Sequence, residues 1–128
     1  MRFLLDTHAL LWWLSDDPLL TDSVRKTIAR SGNSIVVSAA SAWEIATKVR
    51  LGRLPTATDL VRDFAGYLAH EGFESLSVSM EHATRAGLLA GPHRDPFDRM
   101  LVAQAQTEKL SIISNDAVFD SYGVERVW

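Results

Sequence analysis

Short apolar runs and longer stretches of helical spacing alternate along this chain. Residues 2–5 form a brief apolar run that predicts a buried strand, and residues 7–14 follow with Leu10, Leu11 and Leu14 at helical spacing. Thr21 is a fair N-cap for a helix to residue 30, which Gly32 stops. Residues 34–37 are short and β-branched and predict a second strand, and residues 41–51 predict a long helix ended by Gly52. Further on, a helix is predicted over 58–70 with Gly72 behind it, a weaker strand over 76–78, and a helix over 80–89. A loop over 90–94 leads into a helix over 96–108, then a strand over 111–114 and a short fifth strand near 124–127. Strands alternating with helices imply parallel pairing through right-handed crossovers, hence an α/β sandwich.

Ligands of open parallel sheets bind outside the carboxyl ends of the strands. In this chain the residues just past the first, second and fourth strands are Asp6, the segment 38–44 with Glu44, and Asn115-Asp116. Each acid has an ordinary explanation by itself. Asp6 suits a helix N-cap, Ser41-Ala42-Trp43-Glu44 fits a capping box, and Asn115-Asp116 suits a turn or cap. Asp95-Pro96-Phe97-Asp98 reads as a helix start with Asp95 as N-cap. Capping does not require that these acids converge on one rim, where their mutual repulsion is costly. A hard divalent cation removes that cost, and two such ions ~4 Å apart can activate water and stabilise the leaving oxygen in phosphodiester cleavage.

Composition narrows the field. At 128 residues with 47% hydrophobic and 23% charged side chains, the chain has the size and balance of one soluble globular domain. It has no cysteine, so disulfides and thiolate metal sites are excluded, and a reducing cytoplasm is the expected location. The apolar run at the start is too short for a signal peptide, and no stretch approaches a membrane span. A net charge of −3 disfavours a protein that coats duplex DNA, but not an enzyme that meets phosphates through bound cations.

The motifs themselves carry a resemblance. Leu4-Leu5-Asp6-Thr7-His8, Ser41-Ala42-Trp43-Glu44-Ile45, the stretch from Asp95 to Ala105 and Ser114-Asn115-Asp116-Ala117-Val118-Phe119 resemble, in order and spacing, the four motifs of the PIN-domain ribonucleases of the VapC toxin type. The resemblance covers essentially the whole chain and implies one PIN domain over residues 1–128, a three-layer sandwich with a central, mostly parallel sheet of four to five strands. It further implies that Asp6, Glu44, Asp98 and Asp116 are the catalytic, metal-holding residues of a Mg²⁺- or Mn²⁺-dependent endoribonuclease, with a small antitoxin and a homodimer as partners. Asp95 is an extra acid beside the third motif, where Asp98 takes the ligand position.

Basic and aromatic residues add candidates of a different kind. Lys48 falls one helical turn after Glu44 on the same face. Thr7, Arg94 and Arg99 are candidates for substrate contact, arginine being suited to phosphate. His8, His70, His82 and His93 are scattered without a zinc-type spacing, so packing or surface roles are expected of them. Trp12 and Trp13 are adjacent, which predicts one in the core and the other at a partner surface. Two rival enzymes fare poorly: a phosphatase with Asp6 as nucleophile wants an acid where His8 stands, and a receiver domain wants one near Val78-Ser79-Met80. The rival from another class is a noncatalytic RNA- or protein-binding module, which loss of a motif acid would signal; all four are present.

Overall fold

The computed structural model describes residues 1–91 and 93–128, so that Pro92 of the predicted loop lies outside the described residues. Five strands, β1 (Arg2–Leu5), β2 (Ser34–Ser38), β3 (Glu74–Leu76), β4 (Ser111–Ile113) and β5 (Arg126–Val127), form one sheet in the order β3-β2-β1-β4-β5, every pair parallel. The seven α-helices are α1 (Thr7–Leu14), α2 (Asp22–Ala29), α3 (Ala39–Arg50), α4 (Thr58–Arg62), α5 (Phe64–Glu71), α6 (Met80–Leu88) and α7 (Pro96–Glu108). Two 3₁₀ turns, Pro55–Ala57 and Ala117–Tyr122, complete the described elements.

The alternation of side chains along the strands sorts the core into two layers. Phe3, Leu5, Ile35, Val37 and Ile113 face a cluster built with Leu10, Val24, Ile28, Ile45, Leu60 and Leu68 from the first five helices. Leu4, Val36 and Ile112 point the other way and pack on Leu101, Val102 and Ala105 of α7 and on Phe119. Strands covered on both faces read as continuous apolar runs, which is why residues 2–5 and 34–37 stand out in the sequence. The result is the expected α/β three-layer sandwich.

Several local predictions are corrected. The helix predicted over 58–70 is two helices, because Asp63 leaves helical geometry at φ −147° and caps α5 by accepting from the Gly66 N–H at 3.0 Å. A Cβ at position 66 would run into that carboxylate, which accounts for the glycine. The third strand lies over Glu74–Leu76 rather than 76–78; as an edge strand pairing with Val36–Ser38 it lacks the apolar signature of a buried one. Helix α3 starts at Ala39 with Ser38 as N-cap, so Ser41 and Glu44 do not form a capping box. Both tryptophans of the pair are partly buried against the core: Trp12 packs edge-on against Trp128, and Trp13 lies on Phe73 and donates to Glu71 at 2.7 Å. The most exposed of the three is Trp43, at 65%.

Helices α1 and α3 are joined where the site forms, since the buried Thr7 hydroxyl donates to the buried Ser41 hydroxyl at 3.0 Å. Thr7→Val keeps the shape but leaves Ser41 without its partner, and should cost roughly 1–3 kcal/mol in urea unfolding. Adding Ser41→Ala to Thr7→Val should recover part of that loss; a neutral single variant would contradict the role given to this contact.

Candidate metal centre

From β1 the chain runs outward through β2 to β3, then returns to the other side of β1 for β4 and β5. The crevice at such a reversal opens between the carboxyl ends of the two strands flanking it, here β1 and β4. Asp6 stands at that point. Its backbone N–H donates to the Ile113 carbonyl at 3.1 Å, and its carboxylate caps α1 by accepting from the Ala9 N–H at 2.7 Å. Only 4% of Asp6 is exposed. Burial pushes its carboxyl up to about 6, against hydrogen bonds from Ser114 and Ala9 and the charge of His8, while the Asp98 charge raises it further.

Glu44 comes from α3 and is buried, with Lys48 bonded to it at 2.6 Å one turn later. Asp98 sits in the first turn of α7, half-buried. Its carboxyl is raised above the usual aspartate value by burial first; the His93 hydrogen bond opposes this, and the charges of Asp95 and Glu44 add to it. Asp6, Glu44 and Asp98 therefore share one field, with Asp98 sensed by Asp6 and Glu44 sensed by Asp98. Asp116 stands apart. It is exposed at the end of β4, caps the second 3₁₀ turn by accepting from the Val118 N–H at 3.0 Å, and its charge acts on Arg126.

The tightest group of metal-type donors is another one. Among the described residues, His93, Asp95 and Asp98 bring ligand atoms within 4.8 Å of one another, with His93 Nε2 at 2.8 Å from Asp98 Oδ2. Asp95 is also the N-cap of α7, its Oδ1 accepting from Phe97 N–H at 2.9 Å and Asp98 N–H at 3.4 Å. His93 has no histidine at zinc-type spacing, so its spacing alone does not single it out. The available signal is the proximity of His93 to the helix start that carries two acids.

The remaining candidates divide. Thr7 is buried in its bond to Ser41. Arg99 is committed to the loop before α7, donating to the carbonyls of Leu89 and His93. Arg94 is exposed beside the acids. Trp43 follows the same rim and meets Phe97 edge-on with centroids 4.9 Å apart, at one wall of an apolar groove of about 380 Å³. The donor set of carboxylates and one imidazole, with Lys48 the cation bonded to it, suits a hard or borderline divalent ion.

Comparison with known proteins bears on this site. The PIN domain family profile matches residues 3–125. The fold is similar to VapBC2 from Rickettsia felis bound to a DNA fragment from their promoter, with a TM-score of 0.74, 16% identity, and 99% of this chain and 98% of that chain covered. It is similar also to VapBC-1 from nontypeable Haemophilus influenzae (TM-score 0.68, 14% identity, 99% and 97% covered) and to a toxin-antitoxin complex from Klebsiella pneumoniae (TM-score 0.64, 17% identity, 98% and 95% covered). At these identities the likeness is one of fold. No curated protein matches the sequence.

An aspartate whose carboxyl is raised by burial weakens the fold wherever it must ionise. The folded value of about 6 exceeds the unfolded 3.8, so stability is highest below the lower value and falls as pH rises through the higher one. Asp6→Asn keeps an acceptor for the Ala9 N–H and removes the charge. It should stabilise the metal-free protein at pH 7.5 by roughly 2–3 kcal/mol at most, with the gain shrinking as pH is lowered towards 4. Thermal unfolding of both proteins across that range checks this; a variant less stable at pH 7.5 would refute it.

Proposed function

The chain belongs to the PIN domain family, and on that footing we propose that it is a Mg²⁺- or Mn²⁺-dependent endoribonuclease, the toxin of a toxin–antitoxin pair acting in the cytoplasm. The observation that carries this reading is the shared field of Asp6, Glu44 and Asp98 at the crevice between β1 and β4. Asp98 raises the cost of ionising Asp6, and Glu44 that of ionising Asp98; a cation nearby removes that cost, and a phosphodiester substrate is what a cation in a crevice attracts. A bound divalent ion supplies charge neutralisation and an activated water for phosphodiester hydrolysis.

The chain's own residues do the rest. The Asp6 carboxylate is held at one oxygen by the Ala9 N–H at 2.7 Å, and Ser114 favours its ionised form. Lys48 pairs with the buried Glu44 at 2.6 Å and is itself 37% exposed, which leaves its charge accessible to a phosphate. Arg94 lies on the exposed side of the same rim, and Trp43 offers an exposed face on which an unpaired base can stack. Asp116 completes the ligand set of the family motif from the exposed end of β4. The substrate is RNA, and a small antitoxin is the partner, its arginine competing with metal for the carboxylates. The fold likeness to the VapBC and toxin-antitoxin complexes supports that partner, and a homodimer is the expected state of the toxin.

The purified protein should cut a susceptible RNA with Mg²⁺ or Mn²⁺ and stop when EDTA is added. Cleavage that persists in EDTA, or in Asp6→Asn, rules the proposal out. Asp98→Ala should lower the rate at least ~10²-fold with the fold retained. Asp95→Ala should cost ~1 kcal/mol of stability through the lost cap, with most activity kept. A stable, inactive Asp95→Ala beside an active Asp98→Ala would reverse the two assignments.

A further inference from the structure

Resting on the metal reading above, we infer that His93 is a nitrogen ligand of the centre, and that its imidazole makes the site prefer a first-row transition-metal ion such as Mn²⁺ over Mg²⁺. Among the described residues, His93, Asp95 and Asp98 are the group whose donor atoms already lie within 4.8 Å of one another. Two ligands on one ion at about 2.1 Å are at most ~4.2 Å apart, and His93 Nε2 and Asp98 Oδ2, 2.8 Å apart, fall within that reach while Asp95 keeps its cap on α7.

Contacts on either side of His93 fix where it stands. Arg99 holds it at two carbonyls, Leu89 and His93 itself. Gly91, at φ +114°, lets the backbone pass against the Tyr122 ring, where a Cβ would lie 2.9 Å from the hydroxyl. Asp95 then fixes the entry to α7 with two hydrogen bonds. These contacts are made by the backbone or by other side chains, and the imidazole is left aimed at Asp98 Oδ2. Among the described residues, the backbone carbonyl of His93 serves the loop and its ring serves Asp98.

The choice of ion follows from donor chemistry. Mg²⁺ is hard, takes oxygen ligands and keeps several waters. An imidazole nitrogen adds little for it, whereas affinity for nitrogen donors rises along the first-row divalent ions. A set of carboxylates with one imidazole is therefore biased away from Mg²⁺, and a set of carboxylates alone is not.

Pulsed EPR of the full chain loaded with Mn²⁺ reads the ligand directly, through the ¹⁴N coupling of a coordinated imidazole. Calorimetry with Mn²⁺ and with Mg²⁺ reads the preference. Wild type should show the nitrogen coupling, and His93→Ala and His93→Gln should lose it. Both variants should bind Mn²⁺ on the order of 10–100-fold more weakly, with Mg²⁺ binding nearly unchanged. The Arg99 bond to position 93 uses the backbone carbonyl, so both variants keep the loop, and circular dichroism verifies their fold. Mn²⁺ binding without nitrogen coupling, or an equal loss of both ions in the variants, overturns the inference while metal-dependent cleavage stands. Failure of wild type to bind either ion overturns the metal reading as well.

Discussion

A carboxylate at the end of a strand covered on both faces must find its hydrogen bonds within the next turn of chain. Asp6 is in that position: Leu4 and Leu5 before it are completely buried, and the Ala9 amide in the first turn of α1 supplies the donor. One geometric fact thus does two things, ending β1 cleanly and holding an acid at the crevice. The other acids are arranged around it by the sheet order, since β2 leads into α3 with Glu44 and β4 delivers Ser114 to the Asp6 carboxylate. Had β4 been placed at the far edge instead of beside β1, Asp6 would have kept its cap and lost its neighbours.

Opposing charge is distributed sparingly around this group. Lys48 answers Glu44, and His93 answers Asp98, while Asp6 has only the charge of exposed His8 at some remove. The least compensated acid is also the most buried. That ordering suits a site whose missing positive charge comes from outside the polypeptide, because a resident lysine or arginine at Asp6 would occupy the place of the cation.

Much of this was readable from residue order, and what was not has physical reasons. Buried strands such as Arg2–Leu5 and the Pro96-led helix announce themselves through continuous apolar runs and a proline at the first helical position. Edge strand β3 does not, since half its surface is solvated and its residues are Glu74, Ser75 and Leu76. The break at Asp63 was hidden because an aspartate capping in mid-pattern looks like a solvated helix residue until Gly66 is seen as its clearance. Ser41 and Glu44 have the spacing of a capping box, but tertiary contact won: Ser41 is committed to Thr7 and Glu44 to Lys48. His93 was out of reach because its value lies in a loop path set by Arg99, a residue that looks like a phosphate ligand in the sequence. Trp12 and Trp13 both lie partly buried, because Trp128 and Phe73 extend the packing on either side of the helix in ways that residue order does not announce.

The pairing of β1 with β4 has a consequence for the order in which the molecule comes into being. Phe3 pairs with Ser111 and Leu5 with Ile113, so one strand waits for another made much later in synthesis. Parallel pairings between segments so distant in sequence form late, because a long loop must close before they return any energy. Until Ser114 has been synthesised, Asp6 lacks the hydroxyl that orients it, and the crevice has only one wall. The crevice between β1 and β4 is therefore a property of the assembled sheet and of no shorter piece of it.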